Sequence, residues 1–296
     1  MLKLEYLFEN YELAREALAL WEHDEDNLEE MLGYFRISSN AVYPFTREGR
    51  VCFLRLAPVG EKAETDVRGE LEFIRYLLKE GYPALRPVRS LSGEDMVVAD
   101  TGFGRYFACV FEKVDGVEIS EAGYGREVMY AYGRALGRLH ALSSGYVPAV
   151  RKQGHKEILE WIRRTLEEYG GCREAFTELA AVERELGRLL VTTENYGLVH
   201  YDFEPDNVFW DEGKKNAASL ILMTEFIAGT GWILSRCGIL LRRSWKGSSW
   251  KRPGGIFRKG MPACMLIRRK RGNFFLSCAD LWTYVLMQGL SGASVR

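Results

Sequence analysis

The segment Leu198-Val199-His200-Tyr201-Asp202-Phe203-Glu204-Pro205-Asp206-Asn207-Val208-Phe209-Trp210 sets a histidine, a carboxylate two residues on and an amide five residues after that between two apolar runs. The runs read as short strands flanking a tight loop. This is the spacing of a phosphoryl-transfer catalytic loop, in which an Asp reaches the acceptor hydroxyl and a later Asn turns its carbonyl oxygen toward Mg²⁺. Asp202 and Asn207 suit those roles, with His200 packed beneath the loop to hold its backbone. The plainer alternative is an ordinary polar turn between strands.

With Tyr201 and the run Glu204-Pro205-Asp206 inside it, the motif resembles that of the aminoglycoside phosphotransferase and choline kinase-like group, which shares the protein-kinase fold. The resemblance runs over about residues 40–211. It implies an α+β, protein-kinase-like two-lobe fold with a small β-rich N-lobe and a mainly helical, incomplete C-lobe. The corresponding division is 1–112 for a nucleotide-binding lobe with a helical extension, 113–215 for the catalytic lobe and 216–296 for a basic tail. ATP and Mg²⁺ are the implied cofactors, and a small molecule bearing a hydroxyl is the implied acceptor.

Upstream, Ser38-Ser39-Asn40-Ala41-Val42-Tyr43-Pro44-Phe45, a turn at Arg47-Glu48-Gly49-Arg50 and Val51-Cys52-Phe53-Leu54-Arg55-Leu56 predict a β-hairpin. In the family such a hairpin covers the ATP phosphates, and its second strand carries a cation to them. Arg55 matches that position by resemblance. By alternation alone it is merely an outward-facing strand residue. A helix over 66–80, capped by Thr65 or Asp66 and closed at Gly81, carries Leu71, Ile74, Leu77 and Leu78 at helical spacing. The family needs a carboxylate on it to hold the strand cation; Glu70 fits the pattern and Glu72 is the second choice. Strands over 96–99 and 106–112 lead to the lobe junction, where the resemblance puts the adenine edge against backbone groups between Glu112 and Val114.

The remaining segments frame these. Residues 11–21 predict an amphipathic helix, and 26–34 a shorter one capped by Asp24 or Asp26. Helices are expected at 127–142, with His140 packing or capping, and then at 156–169 and 173–191. The 296 residues, 47% hydrophobic, suffice for a substantial core. No signal-peptide pattern or membrane-length apolar run is present, which points to a cytoplasmic protein with no membrane partner. The six cysteines show no C-x-x-C pairing and read as reduced thiols.

Net charge is −1, yet residues 213–296 hold 15 of the 40 basic side chains and only two of the 41 acidic ones, Glu225 and Asp280. The same stretch breaks the family pattern. A kinase-like metal clamp needs a second carboxylate about fifteen residues after the Asn. Here the chain reads Ala218-Ser219-Leu220-Ile221-Leu222-Met223-Thr224-Glu225-Phe226, with no Asp.

The genetic code offers a reason. Shifted so that each codon starts on the last base of the one before, Leu220 to Phe226 can encode Asp-Phe-Asp-Asp-Gly-Ile. The Met223–Thr224 junction forces GAC and the Trp232–Ile233 junction forces GAT, both Asp. Gly213-Lys214-Lys215-Asn216 allows an adenine tract on which reading could slip. Residues from about 216 onward are therefore expected to be an out-of-frame, poorly packed translation. The competing expectation takes the Arg/Lys clusters interleaved with Trp and Phe as a surface for nucleic acid or anionic lipid, which the frameshift makes unnecessary. A third expectation is a non-catalytic, degenerate kinase that only binds nucleotide or a partner.

Overall fold

The computed structural model describes residues 11–37, 40–188, 190–192, 196–200, 203–219 and 225–229. The chain divides into two compact units, Met1–Val114 with Pro148–Val150, and Asp115–Val147 with Arg151–Arg296.

The first unit begins with helices α1 (Tyr11–Leu18) and α2 (Leu28–Gly33). It continues through β1 (Arg36–Ile37), β2 (Ala41–Arg47), β3 (Arg50–Pro58), α3 (Glu64–Lys79), β4 (Arg86–Val88), β5 (Val97–Thr101) and β6 (Gly104–Glu112). The strands form one antiparallel sheet in the order β1-β2-β3-β6-β4, with β5 also paired to β6. Because side chains alternate along a strand, each face of this sheet has its own partner. Ala41, Tyr43 and Phe45, then Cys52, Leu54 and Leu56, then Tyr106, Ala108 and Val110, share one buried cluster with Leu13, Leu18, Trp21, Leu28 and Leu32 from the helical extension. Trp21 is fixed there by its Nε1–H, which donates to the Val88 carbonyl at 3.0 Å. The intervening residues, Arg55 on β3 with Cys109 and Phe111 on β6, belong to the opposite face.

Two capping expectations fail for a local reason. Neither Asp24 nor Asp26 caps α2; its N-cap is Asn27, in a left-handed conformation with φ 57°. Asp24 serves the β2–β3 turn instead. Its carboxylate accepts the Glu48 and Gly49 amide protons at 3.0 and 2.9 Å, and its own N–H donates to the Thr46 carbonyl at 2.9 Å. Both turn residues have positive φ, 51° and 71°, which leaves their amides pointing outward for a carboxylate to collect. Likewise α3 starts at Glu64, earlier than expected, with Ala63 at its N-cap and no side-chain cap. Gly81 does close it, at φ 70°, its N–H donating to the Leu78 carbonyl.

The second unit contains β7 (Val117–Glu118), α4 (Ile119–Ala122), α5 (Arg126–Gly145), α6 (His155–Glu168), α7 (Arg173–Gly187), β8 (Tyr196–His200), β9 (Val208–Asp211), β10 (Asn216–Ser219) and β11 (Glu225–Gly229). β7, β9 and β10 form one small sheet and β8 with β11 another, so the two strands that flank the catalytic-type loop belong to different sheets. The long helix α5 buries Val128, Met129, Tyr132, Leu136, Leu139 and His140. β8 approaches α5 so closely at Gly197 that a Cβ there would lie 3.2 Å from the Ser143 carbonyl oxygen. Gly116, at φ +102°, leaves even less room: a Cβ would sit 2.2 Å from the Trp210 oxygen on β9. Strand β10, the first part of the tail, is paired to β9 and buries Ala217. Most of the remaining tail lies outside the described residues. Among those described, no helix is long and apolar enough to cross a membrane, and Cys52, Cys109 and Cys172 are not in disulfides.

Candidate active site

In the first unit the strand cation and its carboxylate meet. Arg55 lies on β3, in register with Val42 on one side and Cys109 on the other. Glu70 interrupts the apolar stripe of α3 formed by Val67, Leu71, Phe73, Ile74 and Leu77. Arg55 Nη1 donates to Glu70 Oε1 at 2.5 Å, and each side chain is only 2% exposed. Glu72 does something else: its carboxylate accepts the backbone amides of Ala149 and Val150 at 2.9 and 3.4 Å. Of the two carboxylates the sequence offered, Glu70 is therefore the partner. The outward-facing reading of Arg55 is corrected by its burial.

The electrostatics follow from that burial. Desolvation works against the Arg55 charge, but the adjacent Glu70 carboxylate and the Cys109 sulfur outweigh it and raise the guanidinium pKa above its ordinary value. Burial pushes the Cys109 thiol up to about 11, so it stays protonated at neutral pH. Half-buried Lys62 is shifted down by its own burial, while Asp66 and Glu70 pull it back up and Arg55 pushes it further down. The Arg55 guanidinium also lies over the Phe111 ring, its Cζ 5.0 Å from the centroid. Its Nη2 is buried and has no hydrogen-bond partner among the described residues. An unsatisfied buried cationic donor is costly to leave unpaired, and a nucleotide phosphate oxygen is a group that would satisfy it. In donor chemistry this leftover nitrogen suits a phosphate group.

The hairpin turn does not cover this position. Arg47 pairs with Arg50, about five residues from Arg55, or roughly 17 Å along the strand. The turn lies at the Glu112 end of the sheet, where Lys113 N–H donates to the Val51 carbonyl at 3.0 Å. Val42 is opposite Arg55, near the start of β2, where Asn40 is buried. A two-residue β1 is too short to show periodicity, and this concealed its pairing with β2. Glu112 ends β6, in register with Cys52 and Arg86, and half-buried Val114 is the last residue before the division between units.

In the second unit, the catalytic-type loop is tied down through its main chain. The Tyr132 hydroxyl donates to the Phe203 carbonyl at 2.7 Å, and the two rings stack 5.2 Å apart at an interplanar angle of 5°. Ser120 N–H donates to the Pro205 carbonyl at 3.1 Å, and Asn207 N–H to the Glu204 carbonyl at 2.9 Å. Asn207 is thereby placed immediately before β9. His200 closes β8, its backbone in register with Glu225 of β11. Asp202 lies outside the described residues. Tyr132 was not legible as a site residue, because it is one of several apolar and aromatic positions on the buried stripe of α5. His155 and the Tyr196 hydroxyl share a hydrogen bond, their rings edge to face at 5.4 Å, which anchors β8 at its other end.

For Mg²⁺ the fit is incomplete. Asn207 is one candidate ligand, and no group of three or more His, Cys, Asp or Glu side chains able to hold a metal occurs among the described residues. The second ligand is expected between β10 and β11, and that connection, Leu220-Ile221-Leu222-Met223-Thr224, contains no carboxylate; the next acidic residue is Glu225, the first of β11, with its backbone in register with His200.

Residues 37–218 match the model of the family described as "Phosphotransferase enzyme family". An amicoumacin kinase of Bacillus subtilis (strain 168) is 27% identical over 241 residues, covering 79% of this chain and 68% of the kinase. Among solved structures, the fold is similar to that of the amicoumacin kinase hAmiN in complex with AMP-PNP, Ca²⁺ and Ami. The TM-score there is 0.78 at 20% identity, over 96% of this chain and 87% of that one. It is also similar to the choline kinase LicA from Streptococcus pneumoniae, with a TM-score of 0.60 at 12% identity, over 94% of this chain and 90% of that one.

Proposed function

Since the chain belongs to the phosphotransferase enzyme family, we propose that it is built to transfer the γ-phosphoryl group of ATP to a hydroxyl of a small polar or cationic molecule. The observation that carries this is the buried Arg55–Glu70 pair with one guanidinium nitrogen left over. Phosphoryl transfer depends mainly on positioning and on charge placed where it develops. Glu70 holds Arg55 in place for the nucleotide phosphates. Main-chain groups from Glu112 to Val114 meet the adenine edge, which requires no special side chain. Asp202 orients the acceptor hydroxyl and takes its proton, and His200 supports the loop from below. Bound ATP supplies the phosphoryl group, and Asn207 is one ligand for the accompanying divalent ion. Acceptors to test first are those of the relatives' names, amicoumacin and choline.

The chain as written is expected to turn over little, because the connection between β10 and β11 lacks the Asp of the family pattern and offers only Glu225 after it. A reading-frame slip near Lys215 accounts for that gap and for the acidic-to-basic switch together. The nucleotide sequence from codon 205 to codon 235 tests this: absence of Asp-Phe-Asp from the alternative frame ends the frameshift reading. Expression of both frames tests the function. ADP release dependent on acceptor in the restored frame, abolished by Asp202→Asn, is the expected result. ATP binding with no turnover in either frame would select the second reading, a degenerate nucleotide-binding module, which the missing Asp also favours.

A further inference from the structure

The guanidinium of Arg55 is held on more sides than an ion pair requires. Glu70 takes Nη1 at 2.5 Å. The Arg55 Cζ lies over the Phe111 ring, 5.0 Å from its centroid. Cys109, directly across the β3–β6 ladder from Arg55, sets a buried, protonated thiol beside the guanidinium. All of these groups are buried: Arg55 and Glu70 at 2% exposure, Cys109 and Phe111 at 1%. The remaining terminal nitrogen, Nη2, has no partner among the described residues.

We propose that Phe111 and Cys109 are positioning residues that lock the Arg55 guanidinium in one plane and aim Nη2 at a nucleotide phosphate oxygen, making the site specific for arginine over lysine. This rests on the nucleotide-binding reading given above. A lysine ammonium is a compact, strongly hydrated point charge with no plane to stack and no fork to divide between a carboxylate and a phosphate. It could pair with Glu70 or reach the phosphate, but the ring of Phe111 and the sulfur of Cys109 would give it no orientation. Arginine divides the tasks among separate atoms: Nη1 for the carboxylate, the π face for the ring, Nη2 for the ligand. The same logic explains an apolar ring and a neutral thiol on the strand next to a buried charge. A charged neighbour there would compete with the phosphate.

The test is the ratio of ATP to adenosine affinity, measured by titration calorimetry on the full chain and its variants. Adenosine reports the base-binding part and the integrity of the fold, whereas the ratio isolates the phosphate contact. In both Arg55→Lys and Phe111→Leu the ratio is expected to fall about tenfold, the scale of one charge-assisted hydrogen bond. In Phe111→Tyr, which keeps the ring face, it is expected to stay within about twofold of the parent. A ratio that falls in Arg55→Met but not in Arg55→Lys overturns the inference and leaves the nucleotide reading standing, since charge alone would then suffice. An unchanged ratio in Phe111→Leu also overturns it; if that variant does not fold, Cys109→Val decides by the same criterion. Failure of the unaltered chain to bind ATP removes the nucleotide reading itself, and the inference with it.

Discussion

The phenolic hydroxyl of Tyr132, in the middle of α5, donates to the carbonyl of Phe203 at 2.7 Å while the two rings lie nearly parallel, 5.2 Å apart. This one residue therefore holds the chain immediately after Asp202 by both a polar and an apolar contact.

Removing only the hydroxyl separates the two contacts. Tyr132→Phe keeps the stack and removes one buried hydrogen bond, which costs about 0.5–1.5 kcal/mol. Urea unfolding monitored by circular dichroism is expected to show a lower midpoint with an unchanged slope. A midpoint equal to the parent's would mean that the hydrogen bond contributes nothing.

The buried pair in the first unit makes a sharper prediction about single and double substitutions. Glu70→Ala strands the Arg55 guanidinium in a dry environment, and Arg55→Ala strands the carboxylate; each is expected to cost about 3–5 kcal/mol. Arg55→Met combined with Glu70→Leu removes both charges and is expected to be more stable than either single variant. If the denaturant midpoint of the double variant is no higher than those of the single variants, the pair is not coupled as described.

Asp24 gives a pH dependence whose sign can be worked out. The Gly49 amide is the largest cause holding its carboxyl below the ordinary value of 3.8; burial opposes it, and the Glu48 amide and the Thr46 side chain assist. A carboxyl depressed in the folded state stabilises it above the unfolded pKa, and that contribution fades as pH falls through the lower folded value. Asp24→Ala is therefore expected to lower the melting temperature at neutral pH, with the gap to the parent closing below pH 3.8. A gap that stays constant down to the most acidic pH tested would rule out the linkage.

Gly116 is predicted to tolerate no side chain. Its φ of +102° already excludes L residues, and an added Cβ would overlap the Trp210 carbonyl at 2.2 Å. Gly116→Ala is expected to destabilise the chain by more than about 2 kcal/mol, read as a loss of thermal stability.

How much of this was legible beforehand varied with the length of the pattern. Helix α5 and the hairpin of β2 and β3 repeat long enough for periodicity to show, and the structure has them close to where the sequence put them. The Arg55–Glu70 pairing could be narrowed only to Glu70 or Glu72, because two carboxylates two residues apart on a helix differ in direction and not in local sequence. Short elements escaped. β1 and β7 have two residues each and α4 has four, too few for any period to appear. The roles of Asp24 and Tyr132 escaped for another reason: each meets a partner distant in the chain, which no window around the residue contains.

The helical extension has a practical corollary. The family match begins at residue 37, but the Tyr43, Phe45, Leu54 and Leu56 face of the sheet is roofed by side chains from residues 13–32. A fragment trimmed to the family boundaries would keep every proposed nucleotide-binding residue and still open a continuous greasy wall to water. The limits of a domain drawn by sequence similarity and the limits of what can fold unaided do not coincide in this protein. Those first turns of helix belong to its foldable minimum.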